Sequence, residues 1–173
     1  MKKQAFLLLI ISMFLLIPIT GITATPEIFL VHLKTSLNKD DAQICVAYNI
    51  MWAAVEEGYN VKVLVDADAI NTFKVGWGGK DDIEEYKIPE NLRQALAKQF
   101  DVALTEVPKT YGDFLIRLKE KGVQFYINTG FLMVSKIGTP DDPLKKVSNK
   151  FFTPISLKEM VKLRTEATYY MAY

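Results

Sequence analysis

Short apolar runs alternate with amphipathic stretches along most of the chain, and this rhythm predicts alternating strands and helices. The runs are rich in β-branched and aromatic residues and nearly uninterrupted, which is typical of strands buried on both faces of a sheet. The predicted strands are Ile28–Leu33, Val61–Val65, Val123–Ile127, a short one at Phe151–Ile155 and a last one within Ala167–Ala172.

The intervening stretches carry apolar residues at helical spacing. The predicted helices are Lys39–Glu57, Pro89–Phe100, Tyr111–Lys121, Phe131–Ile137 and one that Ser156 caps. Asn38 is predicted to cap the first helix, since a side-chain oxygen there can accept a free backbone N–H. Strand, helix and strand with short connections predict right-handed βαβ units. We therefore expect an α/β fold, in which a mostly parallel sheet has helices on both faces.

In parallel sheets of this kind the ligand site lies beyond the carboxyl ends of the strands. The candidate ligand-binding residues in the segments that follow the first three strands are Thr35, Ser36, Asp66, Asp68, Asn128, Thr129 and Gly130. Their hydroxyls, amide and backbone N–H groups beside helix starts can hold a small anion, and the two aspartates can form a polar pocket wall. The alternative interpretation is ordinary helix capping and loop solvation.

The amino-acid composition excludes several classes of protein and kinds of site but does not indicate an activity. The chain has 173 residues, with 21 basic and 20 acidic side chains, one His and one Cys. Near-neutral charge argues against a polybasic nucleic-acid binder, and a single Cys excludes an intramolecular disulfide and a CxxC pair. His32 is interpreted as a core residue of the first strand and Cys45 as a packed helix residue. No catalytic residue, metal ligand or cofactor is predicted.

Two motif-based activities are excluded by the same residues. The turn after the first strand reads Lys34-Thr-Ser-Leu-Asn38 rather than GxGxxG, which excludes dinucleotide binding. No GxSxG elbow accompanies the single His, which excludes a hydrolase triad of that type. Gly76–Gly79 is expected to form a flexible loop near the site, and the acidic residues of 81–85 are expected to form a solvated face.

The first 24 residues have the layout of a secretory signal peptide. Lys2 and Lys3 precede an apolar run from Ala5 to Ile17, and Ala24 offers a small residue at the cleavage point. We therefore expect a signal peptide at 1–24, a single domain at 25–173, and an exported protein that is periplasmic or secreted. The alternative is an uncleaved segment that tethers the domain to a membrane.

Several segments together resemble the DsrE/DsrF-like sulfur-relay family. They are the first-strand sequence FLVHLKTS, the helix-and-strand sequence ending in EEGYNVKVLVDAD, the segment KEKGVQFYI and the ending SLKEM–EAT–YY. The resemblance covers most of residues 27–173, with about 85–108 as an insertion. It implies a three-layer α/β/α sandwich with a flavodoxin-like sheet. It also implies a homo-oligomer, a trimer or hexamer, and in catalytic members a persulfide-carrying cysteine just after the third strand.

This chain departs from the family at that cysteine, because the segment reads Asn128-Thr129-Gly130. Neither an amide nor a hydroxyl can replace a thiolate as nucleophile and sulfur carrier. The expected function is therefore non-catalytic: binding of a small ligand or a sulfur-pathway protein partner, or assembly, related to sulfur metabolism. Two alternatives stay open, a sulfur relay through Cys45 or a partner's thiol, and an enzyme of another kind that uses the Asp/Asn/Thr residues.

Overall fold

The computed structural model describes residues 26–173, so the predicted signal peptide lies outside the described residues. Five parallel strands form one sheet in the order β4-β3-β2-β1-β5. The strands are β1 (Ile28–Leu33), β2 (Asn60–Val65), β3 (Gln124–Asn128), β4 (Thr153–Ile155) and β5 (Tyr169–Ala172). The predicted α/β sandwich with a parallel sheet is confirmed.

Helices connect the strands in the predicted sequence. They are α1 (Asp41–Glu56), α2 (Glu90–Gln99), α3 (Tyr111–Glu120), α4 (Thr129–Val134) and α5 (Leu157–Glu166), with 3-10 helices at Ala67–Phe73 and Leu104–Glu106. Ser156 caps α5 with a full capping box, as its sequence predicts.

The predicted starts of two helices were wrong. Asp40, rather than Asn38, caps α1, because its carboxylate accepts the Gln43 N–H at 3.0 Å. Helix α4 starts two residues early, because the Asn128 side chain accepts the Phe131 N–H at 3.3 Å. It also ends early, at Val134, and Lys136 just beyond adopts a left-handed φ of 57°.

The two faces of the sheet are covered unequally. Alternate residues of β1, β2 and β3, among them Val31, Val63 and Phe125, pack under α1, α3 and α4 in the main core. The other face carries a small cluster in which Leu30 and Leu64 meet Leu163 of α5. Right-handed crossovers explain the imbalance, since only the β4–β5 connection runs back across the sheet and places its helix on the second face.

The strand order also fixes where a ligand site belongs. Connections from β1 to β4 step along the sheet in one direction, and β5 lies on the opposite side of β1. The reversal is therefore at β1 and β5, and the crevice beyond their carboxyl ends is the favoured ligand position in such sheets. Within residues 26–173, no helix is long and apolar enough to cross a membrane.

Candidate functional site

Four polar side chains meet on the second face of the sheet near its carboxyl edge, and we call them the His32 cluster: His32, Asp66, Asn128 and Tyr170. Nδ1 of His32 lies 2.9 Å from the Tyr170 hydroxyl, and Nε2 lies 3.4 Å from Oδ2 of Asp66. Oδ1 of Asp66 accepts the Asn128 amide at 2.7 Å and the Ala67 N–H at 2.6 Å. The cluster thereby joins the ends of β1, β2 and β3 to β5.

The protonation of His32 follows from its surroundings. Burial lowers the pKa of the imidazole and outweighs the Asp66 carboxylate, which raises it; Lys34 and Arg164 lower it further. Since a carboxylate only accepts hydrogen bonds, Asp66 favours the neutral tautomer with hydrogen on Nε2. That nitrogen is buried and lies 3.4 Å from the Asp66 carboxylate, without an aligned hydrogen bond. Nδ1 is then free to accept from Tyr170.

Asp68 lies in a separate cluster, formed with Ser36, Lys39 and Asn71. Oδ2 of Asp68 accepts the buried Ser36 hydroxyl at 2.5 Å and lies 3.1 Å from Nζ of Lys39. Oδ1 accepts the Asn71 amide at 3.1 Å. The Ser36 hydrogen bond, followed by those from Lys39 and Asn71, lowers the pKa of Asp68. The chain thus supplies this carboxylate with its own partners and ties the loop after β1 to the one after β2.

The remaining predicted site residues border these two clusters. The Thr35 hydroxyl donates to Gln43 at 3.5 Å, a long contact. Thr129 and Gly130 form the first turn of α4, and Gly130 is exposed. The structure therefore brings Asp66 and Asn128 into direct contact, while Ser36 pairs with Asp68. The predicted polar wall is two networks, each internally bonded.

Cys45 lies away from this edge, on α1. It is half-buried, accepts a weak contact from Nδ2 of Asn49 at 3.8 Å, and lines a cleft of about 240 Å³. Asp41, Tyr86 and Tyr111 contribute to the same cleft. Cys45 packs against the main core, as expected of a packed helix cysteine, and its remaining surface faces this cleft.

A larger cleft, of about 570 Å³, lies between the loop after the first 3-10 helix, the start of α3 and residues 145–150. Asp81 lines it but is buried, and it accepts the Ile83 and Glu84 N–H groups at 3.2 and 2.8 Å and the Ser148 hydroxyl. Burial raises the pKa of Asp81. The predicted solvated acidic face is therefore wrong for Asp81, which instead orders this loop.

The predicted loop at Gly76–Gly79 borders this cleft. Gly79 lines the cleft, and the Gly79 N–H donates to the Gly76 carbonyl at 3.1 Å, which closes a turn. Trp77 stands at the tip of that turn with its side chain fully exposed.

His32 and Tyr170 were not predicted from the sequence to be site residues. The alternation of side chains along each strand places His32, Asp66 and Asn128 on one face, and that signal was available. The contribution of Tyr170 depends on β5 pairing with β1, where Leu30 is opposite Tyr170. Nothing in the local pattern of β5 specifies that neighbour.

In the part of the chain that the structure describes, no three His, Cys, Asp or Glu side chains are grouped so that they could hold a metal ion. No family model matches the chain, and no curated protein matches it.

Proposed function

We propose that this chain is an exported DsrE/F-like protein that binds a small ligand or a protein partner at the carboxyl edge of its sheet. In this proposal it takes part in sulfur metabolism without carrying sulfur itself. The observation that carries the proposal is the 2.7 Å bond from Asn128 to Asp66. Where the resembling family's catalytic members have a cysteine, this chain has an amide engaged in cross-linking two strands.

The character of the edge supports binding rather than sulfur transfer. The carboxylates of Asp66 and Asp68 are already paired within the chain, so the edge is a preformed polar surface. Lys34 is exposed directly after β1, and Arg164 lies near Tyr170. These cations favour a small anion, and thiosulfate and sulfite are suitable probes because they combine that charge with sulfur chemistry.

Calorimetric titration of the mature protein with thiosulfate and with sulfite tests the binding proposal. We expect saturable binding that Lys34→Gln weakens and that Lys98→Gln, a change of an exposed lysine on α2, leaves intact. Absence of binding to both anions would remove the small-anion form of the proposal. Loss of affinity in both variants alike would place binding elsewhere.

Sulfur transfer is tested separately with a persulfide donor. The mature protein is incubated with the donor and its intact mass is measured under native conditions. We expect no stable adduct of about one sulfur atom, because a thiolate is the required nucleophile and Asn128 stands at the family's position. Transfer of sulfur from the protein to an acceptor thiol would contradict the proposal.

The second candidate function is a sulfur relay through Cys45 or a partner's thiol. One observation favours it: Cys45 is half-buried and lines a cleft, so a small donor can approach the thiol. In that case the adduct forms on the wild type and is lost in Cys45→Ser. Matched treatment of both proteins therefore separates the two candidates.

Export is proposed from residues 1–24 alone. Intact-mass measurement on protein purified from its host is expected to give a chain that begins near Thr25. Retention of the first 24 residues would favour the membrane-tethered alternative.

Homo-oligomerisation is a further part of the proposal. Exposed apolar side chains on α5 and β5 support it: Leu157, Val161, Tyr169 and Met171. Light scattering coupled to gel filtration is expected to give a trimer or hexamer, and a monomer at all concentrations would contradict it.

A further inference from the structure

In the His32 cluster, an imidazole lies between a tyrosine hydroxyl and a carboxylate. Nδ1 of His32 faces the Tyr170 hydroxyl at 2.9 Å, and Nε2 faces the Asp66 carboxylate at 3.4 Å. Asp66 is held in place by the Asn128 amide and the Ala67 N–H. His32 is 9 % exposed, whereas Tyr170 and Asp66 are half-buried, so a molecule from solvent meets these two side chains before it meets the imidazole.

A second charge acts on the tyrosine from α5. The Arg164 guanidinium lies over the Tyr170 ring, with its central carbon 4.2 Å from the ring centre. A cation in that position is attracted to the ring face and supplies a positive charge for an anion bound beside the tyrosine. An adjacent base is the condition under which a hydroxyl becomes a nucleophile or a proton carrier.

We propose that Tyr170 is the reacting residue of an acid–base site, with His32 as its general base and Asp66 as the residue that orients His32. A small acidic ligand gives its proton to the tyrosine oxygen while the tyrosine proton passes to Nδ1 of His32. The imidazolium that forms faces Asp66, and the ligand anion that remains faces Arg164 and Lys34. Charge is conserved, and the reverse path returns the proton to the ligand.

The inference deepens the proposed function, since it places the ligand at the same edge of the sheet and gives it a chemical class, a small acid bound as its anion. Its test does not depend on anion binding. A protein that binds neither thiosulfate nor sulfite can still have a reactive Tyr170, and a protein that binds both can have an inert one.

An aryl sulfonyl fluoride measures tyrosine activation directly. The Tyr170 oxygen forms a bond to sulfur, the S–F bond breaks, fluoride leaves, and the tyrosine proton passes to Nδ1 of His32. Tyr169 is the internal control, because it is the next residue and is more exposed, at 43 %. Its hydroxyl faces the Glu27 carboxylate at 3.3 Å, and the Glu27 charge raises the pKa of Tyr169.

We expect Tyr170 to be labelled more than about tenfold faster than Tyr169, as fits the rate contribution of a positioned general base. His32→Gln should remove that advantage without changing Tyr169, and Asp66→Asn should reduce it. Peptide mapping by mass spectrometry gives both rates from one sample. Equal or faster labelling of Tyr169 in the wild type would overturn the proposal, as would a Tyr170 rate that His32→Gln leaves unchanged.

A second measurement needs no variant. The chain contains one His, so its imidazole nitrogen signals in an NMR spectrum come from His32 alone. We expect a neutral ring near pH 7 with hydrogen on Nε2 and an accepting Nδ1. A ring with hydrogen on Nδ1 could not accept the tyrosine proton, and that result would overturn the proposal even if every variant failed to fold.

Discussion

The Asn128 side chain serves two structural purposes at the end of β3. Its amide donates to Asp66 across the strands, and its carbonyl oxygen accepts the Phe131 N–H that starts α4. Asn128→Ala removes both bonds, so the Phe131 N–H loses its acceptor and the Asp66 carboxylate loses one of its donors. We expect the free energy of unfolding to fall by about 1–3 kcal/mol, measured by urea denaturation.

The matched control is Asn91→Ala, a change of an exposed residue on α2. It should alter stability by less than about 0.5 kcal/mol. An equal effect at both positions would mean that the link between β2 and β3 contributes nothing.

Gly138 lies where the backbone closely approaches the backbone of Pro143. A Cβ at this position would lie 2.3 Å from the Pro143 carbonyl oxygen and 2.7 Å from Cε of Met133. The carbonyl belongs to the backbone and cannot turn aside, so Gly138→Ala should lower the melting temperature through overpacking that costs about 1–3 kcal/mol.

Gly78 is the control for that substitution, since a Cβ there meets nothing within 4 Å. Gly78→Ala should leave the melting temperature unchanged or raise it slightly, because it restricts the unfolded chain. A drop of similar size in both variants would show that glycine content, rather than the contact with Pro143, determines the effect.

Among the elements, α2 holds the segment that follows it through one buried residue. The Arg93 guanidinium donates to the carbonyls of Leu104, Val107 and Pro108, each at 3.0 Å, and pairs with Glu90. Arg93 is 8 % exposed, so Arg93→Met leaves these carbonyls without their donor. We expect a loss of about 3 kcal/mol in unfolding free energy and faster backbone hydrogen exchange at 104–108.

Lys98→Met on the same helix provides the comparison, because Lys98 is an exposed cation in its last turn. It should change neither stability nor exchange at 104–108 appreciably. Exchange that stays slow in Arg93→Met would mean that other contacts hold the segment.

Some strands and helices could be predicted from their own sequences and others could not. The cores of β1, β2 and β3 were predictable because a strand buried on both faces must be apolar throughout. The start of α4 was not, because Thr129 and Gly130 do not continue its apolar pattern and the helix depends on a cap from Asn128. At the site, the contact between Asp66 and Asn128 could be predicted, because the two residues follow neighbouring strands. The contact between His32 and Tyr170 could not, because it requires the chain to return across the whole sheet and pair β5 with β1.

At the scale of the whole molecule, the unequal cover of the sheet determines where polar groups become buried. Within residues 26–173, α5 is the one helix that covers the second face, and the His32 cluster lies there, partly covered, rather than in the main core. Burial in such a position shifts the pKa of a titratable group, so the protonation of that group is linked to folding. The stability of the whole fold should therefore depend on the protonation of His32.

The sign of that dependence follows from the lowered pKa of His32. The unfolded imidazole binds a proton near pH 6.5, whereas the folded one binds it only at lower pH. Between these two values the unfolded state holds more protons, so the free energy of unfolding rises with pH and levels off above about 6.5. As pH falls below about 7, the contribution of His32 to the free energy of unfolding should decrease with a slope of at most about 1.4 kcal/mol per pH unit.

Urea unfolding at several pH values, for the wild type and for His32→Gln, isolates this contribution. The carboxyl groups that do not contact His32 titrate in both proteins and cancel in the difference: the raised pKa of Asp81 and the lowered pKa of Asp68 affect the two curves alike. The difference therefore reports His32 together with its contact to Asp66. We expect the difference in unfolding free energy to change as pH falls below about 7 and to be constant above that pH. Curves that stay parallel throughout would mean that His32 titrates alike in the folded and unfolded chain, and that burial on the α5 side of the sheet does not control its charge.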